Sequence, residues 1–374
     1  MTMTSNHENG AVCDTVKLIL NVNDFKILES EAFTPATHTI FTAKRSCCAV
    51  QNPDKQKMKE GHYQPCLTLS KSPRSGGMTT VLLVTASLPK LVLGSNICEI
   101  SDSDFPEVIK LLVERLAEMH VQVHPKVLEE AQVCKIDYCK NVILPENVAC
   151  SYLLRDIEHA DISRYLDTGR SDYRNEGHCI RFHSNGKEIA LYDKVKDYLQ
   201  GLKSEKRAID NDAAFQNIPV KELAKMQILR LENRFSNGRE ISNILEKIGM
   251  DPKDHSFCRL FDSRINQKVN THFWEKICQS VRCNHLQNED PAALFKKLLT
   301  RNKWLKSLEL FGLVQLLRMT GIRDAKNLIP SNATSHKLFK ELEMTEATSE
   351  WLDNIYNHVA KEIKENKNLL IRGR

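Results

Sequence analysis

The first half of the chain alternates between apolar and polar residues in the manner of β-strands. Residues 15–22 and 79–86 are rich in β-branched and apolar side chains, which predicts strands with a buried face. The segment between them, residues 51–77, contains many Lys, Pro, Ser and Gly residues, and we predict a loop or an irregular hairpin there. Apolar residues at helical spacing from about Asp104 predict a helix that packs on the sheet.

Two later strands carry acidic residues on one face. Residues 131–144 place Asp137 on the same strand face as Lys135, and residues 227–234 place Glu232 between arginines on a common face. Each strand therefore offers one apolar face to a core and one face with a carboxylate.

An Asn-Gly turn predicts a hairpin that leads to a tyrosine. The sequence SNGK at residues 184–187 is typical of a hairpin turn because Asn and Gly readily take positive φ. The return strand then ends beside Tyr192. A lysine-rich segment follows it, with Lys194, Lys196 and Asp197 close behind the tyrosine.

The pattern changes to helices beyond about residue 244. We predict an α+β domain over residues 1–245, in which helices cover one face of an antiparallel sheet and the active site lies on the open face. A helical domain, which could bind DNA, follows over residues 246–374. Gly321 is predicted to cap a helix, and the tail from residue 361 is predicted to fray.

Composition narrows the class of protein without deciding it. Lys and Arg number 53 against 48 Asp and Glu, a net charge of +5 that permits nucleic acid as a partner. No apolar run is long enough for a membrane helix, and the polar start lacks the regions of a signal peptide. We expect a cytoplasmic protein, with no membrane partner, whose 12 cysteines are reduced.

The segment around Tyr192 could carry nucleophilic chemistry. A phenol has an ordinary pKa near 10, so a nucleophilic tyrosine needs neighbouring cations or a metal. Lys194 and Lys196 could supply the charge. If the strands adjoin, Asp137 and Glu232 could hold Mg²⁺ or Mn²⁺, hard cations that favour carboxylates. A solvated strand end, with each acid in an ordinary ion pair, is the structural alternative.

Basic residues suggest where DNA could lie. We assign Lys140, Lys196, Arg230 and Lys303 to DNA contacts. In the helical half, basic side chains cluster around Trp304, which could stack on a base; a solvated helix face with Trp304 in the core is equally compatible. The members of the cluster are Lys296, Lys297, Arg301, Lys303 and Lys306. Residues 311–324 could form a helix-turn-helix or a generic helical hairpin.

Five short blocks occur in a characteristic order along the chain. They are HYQP at residues 62–65, SLPKLVLGSN at 87–96, VCKIDYCKN at 133–141, IALYDKVKD at 189–197 and LRLENR at 229–234. In this order they resemble the replication initiation endonucleases of filamentous phages and related plasmids, the gene II/X group of rolling-circle initiators. The resemblance extends from about residue 61 to residue 248, half of the chain.

The resemblance implies a metal-dependent, site-specific DNA nickase and ligase. Such proteins cut one strand at a phage or plasmid origin, keep the 5′ end as a phosphotyrosyl link and leave a 3′-OH for host polymerase. Single-stranded or supercoiled origin DNA, host polymerase and helicase are then the expected partners, in the bacterial cytoplasm. By the same resemblance Tyr192 is the nucleophile, Lys194 steadies the phosphate or phenolate, and Asp137, Glu232 and Asp197 are the candidate Mg²⁺ or Mn²⁺ ligands.

One departure and two rival functions accompany this interpretation. Many rolling-circle nickases bind metal through a His-x-His pair, which the sequence lacks. His183 could contribute one nitrogen, whereas His178 is predicted to point to the opposite face. Tyr198 could take part in a second transfer or simply pack. The rivals are a non-catalytic origin-binding regulator and a tyrosine transposase or relaxase on a related fold.

Overall fold

The structure is a computed structural model that describes residues 3–74, 77–146, 148–158, 162, 166, 169–174, 178–202, 224–288, 290–328, 337 and 350–371. The strands within these ranges are β1 (Met3–Gly10), β2 (Cys13–Asn21), β3 (Phe25–Ile27), β4 (Cys47–Gln51), β5 (Cys66–Arg74), β6 (Gly77–Ser87), β7 (Val121–Val123), β8 (Gln132–Ile143), β9 (Arg170–Arg174), β10 (Cys179–Ser184), β11 (Lys187–Asp193), β12 (Ile228–Phe235) and β13 (Lys367–Ile371).

The α-helices of the same ranges fall into two groups. Those before β12 are α1 (Thr37–Thr42), α2 (Lys55–Lys59), α3 (Leu88–Leu93), α4 (Phe105–Glu118), α5 (Pro125–Glu129), α6 (Cys150–Glu158) and α7 (Lys194–Leu202). Those after β12 are α8 (Gly238–Lys247), α9 (Phe257–Leu260), α10 (Ser263–Asn288), α11 (Pro291–Arg301), α12 (Trp304–Leu328) and α13 (Glu350–Glu365).

The main sheet is antiparallel throughout. Within the described part of the chain it has nine strands in the order β4-β5-β6-β2-β8-β12-β11-β10-β9. Strands β8, β12 and β11, which carry the predicted site residues, are therefore neighbours at its centre. The predicted α+β class, with an antiparallel sheet and C-terminal helices, is confirmed.

The two faces of the sheet differ because side chains alternate along each strand. On β2 the residues Val16, Leu18 and Leu20 are fully buried, while the side chains between them are half-buried. Helices α6, α8, α10 and α13 contact the central and later strands of the sheet. Phe235 of β12 packs on Phe273 of α10 with their ring centres 6.2 Å apart. One face thus becomes the core and the other stays open, as predicted.

The C-terminal helices extend this core. Trp274 of α10 is buried and stacks on Tyr356 of α13 at 5.5 Å between ring centres. Buried side chains on both sides of residue 245 belong to one hydrophobic cluster. The division into domains at residues 245 and 246 stays a prediction, and any such unit shares buried surface with its neighbour.

Several local predictions are corrected by the structure. The segment 51–77 contains β5, because Leu67 and Leu69 alternate with polar residues and are fully buried. Helix α12 continues through Gly321, so this glycine ends no helix and residues 311–324 contain no turn. The tail does not fray within its described part, since β13 pairs with β1. At the edge of the sheet, residues 170–174 form strand β9, which pairs with β10.

Candidate active site

A cavity of about 400 Å³ opens on the polar face of the sheet. Its size is within the range of clefts that bind small ligands or parts of larger ones. Strands β2, β6, β8, β10, β11 and β12 contribute to it, together with α3, the segment after α3 and α7. The lining residues are Asp14, Thr15, Ser87, Lys90, Asn96, Lys135, Asp137, His178, Cys179, Arg181, Tyr192, Asp193, Lys194, Lys196, Asp197, Glu232 and Arg234.

Tyr192 reaches the cavity from the end of β11. It lies opposite Arg230 in the β11–β12 ladder, two residue pairs away from Glu232 and on the same face. The half-buried phenol donates a hydrogen bond to Oε2 of Glu232 at 2.9 Å. Its ammonium neighbour is Lys194, whose Nζ lies 5.9 Å from the centre of the Tyr192 ring. Tyr192 is thus in contact with an acid from a strand distant in sequence, as the sequence analysis predicted.

The residue after Tyr192 turns the chain from strand to helix. Oδ1 of Asp193 accepts a hydrogen bond from the backbone N–H of Lys196 at 3.0 Å, which is the geometry of a helix N-cap. Helix α7 therefore begins at Lys194 and keeps its first turn beside the tyrosine. Lys194 is buried and donates to Oδ1 of Asn96 at 2.7 Å, while Asp197 lies 3.7 Å from the Lys194 ammonium.

Two carboxylates meet on the centre of the open face. Asp137 lies opposite Arg234 in the β8–β12 ladder, so Asp137 and Glu232 are diagonal neighbours. Lys135 lies 3.3 Å from Oδ2 of Asp137, and Arg234 donates to Oε1 of Glu232 at 3.0 Å. Oδ1 of Asp137 is buried with no hydrogen-bond partner in the described structure. One oxygen of this pair therefore has an unused capacity to accept a hydrogen bond or to coordinate a cation.

Burial and mutual repulsion give the two acids different protonation behaviour. Burial, and then the negative charge of Glu232, raises the pKa of Asp137 to about 7. Burial opposes ionisation of Glu232 as well, but the charges of Arg234 and Arg230 outweigh it and lower its pKa far below the usual range. At neutral pH Glu232 is ionised, whereas Asp137 is partly protonated and sensitive to any cation nearby.

The phenol is protonated in the free protein. Burial raises the pKa of Tyr192 well above its ordinary value, although the charge of Arg230 opposes this effect. The hydrogen bond to Glu232 has the same consequence, because a carboxylate acceptor favours the phenol over the phenolate. Attack by this oxygen therefore requires that its proton be accepted or that additional positive charge reach the site.

Lys140 and Arg230 do not fit their predicted roles as DNA contacts. Lys140 is buried, 2.7 Å from Oε2 of Glu99, and also donates to the backbone carbonyl of Lys367. Arg230 is buried beneath the cavity, 2.9 Å from Asp14 and 3.7 Å from Glu232. Both cations are already paired, so neither presents its charge to a phosphate. Arg230 instead holds Glu232 in its ionised form.

The other predicted DNA contacts remain on the surface. Lys196 is exposed at the rim of the cavity, and its Nζ lies 2.6 Å from Nε2 of His178. Lys303 is exposed between α11 and α12, among the residues outside the cavity lining. The predicted site residues thus separate into a cluster around Tyr192, two buried structural cations and one distant lysine.

The two histidines lie opposite to the prediction, with His178 at the cavity and His183 away from it. His178 precedes β10, outside the strict alternation of the strand, and lines the cavity. His183 lies near the far end of β10 and contacts Oδ2 of Asp172 at 3.2 Å. Tyr198 is buried in an apolar cluster with Val195 and Ile228, which agrees with packing.

Several residues that line the cavity were not predicted from the sequence to be site residues. Asp14 and Arg181 stand in strands whose pairing could not be read from spacing, and the register brings them to the centre. Lys90 and Asn96 lie within the SLPKLVLGSN block, which offered the only signal. Helix α3, capped by Gly94 at φ 73°, carries Lys90 over the end of β6.

The carboxylates of Asp137 and Glu232 have part of the donor set that a divalent metal ion requires. In the described ranges, no group of three or more His, Cys, Asp or Glu side chains is arranged to hold a metal ion. Asp137 and Glu232 are nevertheless hard oxygen donors on one face, and one Asp137 oxygen lacks a partner. These two residues fit one side of a Mg²⁺ or Mn²⁺ site, whose remaining ligands would be water or phosphate oxygens.

Comparison with known proteins identifies the family. Residues 54–250, just over half of the chain, match the model of a phage family described as the N-terminal part of the replication-associated gene II protein. The chain belongs to this family. No curated protein and no solved structure matches it.

The family match agrees with the resemblance based on short blocks. Its limits, residues 54 and 250, enclose all five blocks, and Tyr192, Asp137 and Glu232 lie within it. The protein is therefore of the filamentous-phage gene II type, a group of phage replication initiators that act on DNA. Separately, the helices described in the structure include none that is long and apolar enough to cross a bilayer.

Proposed function

We propose that this member of the gene II protein family initiates rolling-circle replication by nicking one DNA strand at a phage or plasmid origin, with Tyr192 as the nucleophile. The observation that carries the proposal is the position of Tyr192 Oη. It lies in an open cavity of the sheet, 2.9 Å from Glu232 and beside buried and exposed lysines. A phosphodiester that enters this cavity meets positive charge and a hydroxyl at the same place.

The reaction is a transesterification. Tyr192 Oη attacks the phosphorus of the scissile link, the Oη–P bond forms and the bond from phosphorus to the 3′-oxygen breaks. The phenol loses its proton, and the departing 3′-oxygen gains one to become the 3′-OH that primes host polymerase. The reverse reaction, attack by a 3′-OH on the phosphotyrosyl link, restores the tyrosine and closes the displaced strand, which is the proposed ligase activity.

Neighbouring residues adjust the phenol for this task. Glu232 accepts the phenolic hydrogen bond and orients Oη toward the phosphorus; because the pKa of Glu232 is far below its usual range, the phenolic proton passes to solvent as the Oη–P bond forms. Lys194 is held by Asn96 and lies near the ring, where its charge favours the phenolate. Lys196, exposed at the rim of the cavity, supplies positive charge for the phosphate oxygens. Lys194 is thus proposed as a catalytic residue and Lys196 as a DNA contact.

We propose Mg²⁺ or Mn²⁺ as the cofactor of this site. When bound, the metal would supply Lewis-acid charge to a phosphate oxygen. Asp137 and Glu232 would hold it, and Asp197 is proposed as a further ligand from the other side of the cavity. The partly protonated Asp137 would release a proton when the cation binds.

The substitution Tyr192→Phe tests the proposal. Wild-type protein, Mn²⁺ and a single-stranded oligonucleotide from the origin of its own replicon should give a covalent adduct, whereas the variant should bind the oligonucleotide and give none. Tyr198→Phe is the matched control, because Tyr198 lies nearby in an apolar cluster and outside the cavity lining. An adduct with the Tyr192 variant contradicts the assignment.

The same assay separates the rivals. Binding without cleavage in either metal by the wild-type protein would favour a non-catalytic origin-binding regulator. Cleavage at mobile-element ends or transfer origins, but at no replication origin, would favour a transposase or relaxase. Phe at position 192 should leave the fold intact, since only the hydrogen bond to Glu232 is lost.

A further inference from the structure

Trp304 and its neighbours form a surface that the active site does not use. We define the α11–α12 elbow as residues 291–308, which comprise α11, the turn after it and the start of α12. Trp304 begins α12 and is 58% exposed, which is unusual for the largest apolar side chain. Exposed Trp next to positive charge is typical of surfaces that bind unpaired nucleotides.

Packing holds Trp304 outward. Phe295 of α11 contacts the Trp304 ring edge-to-face, with ring centres 5.4 Å apart, and contacts Phe311 in the same way at 5.1 Å. Leu294 and Leu298 of the same helix are fully buried. Because these leucines anchor α11, Phe295 holds the ring of Trp304 in a fixed orientation at the surface.

The charge of the elbow is of one sign. Its 18 residues include Lys296, Lys297, Arg301, Lys303 and Lys306, and no Asp or Glu. Lys306 pairs with Glu309 just beyond the elbow. No carboxylate in the described ranges forms an ion pair with Lys296 or Lys303, and both are exposed. A polyanion therefore complements this surface better than a neutral or acidic-rimmed protein does.

We propose that the α11–α12 elbow binds single-stranded DNA, with Trp304 stacked on a base and the flanking lysines on phosphates. The proposal rests on the proposed function, because a nickase that starts strand displacement produces such a strand. The elbow would bind without sequence preference, since stacking and phosphate contacts do not read base edges. Exposed Leu305 and Leu308 would lie against sugars and bases beside Trp304.

The test uses the full-length Tyr192→Phe protein and an oligo(dT) strand of about 20 nucleotides, so that cleavage does not interfere. We expect the strand to quench the fluorescence of Trp304, one of the three tryptophans, and the Trp304→Phe variant, which keeps Trp274 and Trp351, should lose this quenching; Trp274 is buried on Tyr356 and should not respond. Trp304→Ala should weaken binding about 5- to 150-fold, the effect of losing one base stack.

A pair of lysine variants supplies independent evidence. Lys296→Gln with Lys303→Gln should flatten the slope of log affinity against log salt by about 1.4, because two phosphate contacts are lost. The control is Lys110→Gln with Lys126→Gln, which removes the same charge from exposed positions on other helices and should leave the slope unchanged. All four lysines are at the surface, so folding should be preserved.

Two outcomes overturn the proposal. One is equal affinity and equal salt slope for wild-type and elbow variants. The other is a change of oligomeric state in Trp304→Ala, measured by sedimentation, without a change in DNA affinity, which would make the elbow a protein interface. Origin nicking by the wild-type protein is scored separately, so its absence refutes the proposed function and leaves the elbow result interpretable.

Discussion

Asp137→Asn should make the protein more stable and at the same time inactivate it. Asp137 is 3% exposed, and one of its oxygens has no partner in the described structure. A buried carboxylate that must ionise costs free energy of folding, and Asn has nearly the same shape without the charge. Residues of an active site often carry such a cost because function requires them.

The magnitude follows from the pKa of Asp137, which rises from 3.8 to about 7 on folding. Each pKa unit corresponds to about 1.4 kcal/mol, so the charged carboxylate lowers the free energy of unfolding by up to about 4 kcal/mol above pH 7. The direction of this pKa shift determines how the stability of the protein depends on pH. Between pH 4 and 7 the folded state holds a proton that the unfolded chain has lost, so stability falls as pH rises.

Urea denaturation of wild type and Asp137→Asn at several pH values measures this effect. The difference in free energy of unfolding should be near zero at pH 4, grow through pH 6 and level off above pH 7 at about 2–4 kcal/mol in favour of the variant. Glu107→Gln, at an exposed helical position paired with Lys110, is the control and should show no comparable gain. A constant difference, or a less stable variant at pH 8, refutes the reasoning.

Three further predictions concern a buried ion pair, a core strand and the pH dependence of metal binding. Lys140→Ala should lower the free energy of unfolding by about 3–5 kcal/mol in urea titrations, because Glu99 would remain a buried charge without a counter-ion, held only by the backbone N–H groups of Asn141 and Leu369; a loss below about 1 kcal/mol contradicts the buried pair. Leu69→Ala should cost about 2–5 kcal/mol and Thr68→Ala on the other face less than about 1, as measured by the same titration, if β5 is a core strand. Calorimetric Mn²⁺ affinity should rise up to about tenfold per pH unit below pH 7 and then level off, a dependence that Asp137→Asn should abolish.

The sequence alone was sufficient to predict the central strands of the sheet and their polar face. Around Asp137 and Glu232, period-two alternation identifies the polar face, and an Asn-Gly turn fixes the hairpin that ends at Tyr192. These signals are local, so they survive without knowledge of which strands pair. The meeting of the three side chains depended on strand order, which the sequence analysis left open and the sheet supplies.

The burial of charged side chains was the main feature that could not be predicted from the sequence. Lys140 and Arg230 look like surface cations in the sequence, yet each is buried because a carboxylate arrives from elsewhere, from Glu99 and from Asp14. Such pairs join residues 41 and 216 positions apart and leave no periodic trace. His178 was misplaced for a related reason, since alternation holds only inside a strand and this residue stands just before one.

The covalent link between protein and DNA tests the central claim most directly. Wild-type protein is incubated with Mn²⁺ and an origin oligonucleotide, digested, and the peptide that carries the nucleotide mass is sequenced by mass spectrometry. We predict one linked peptide, modified at Tyr192 among the eight tyrosines of the chain. A nucleotide on any other tyrosine, or origin cleavage that leaves every tyrosine unmodified, contradicts the account.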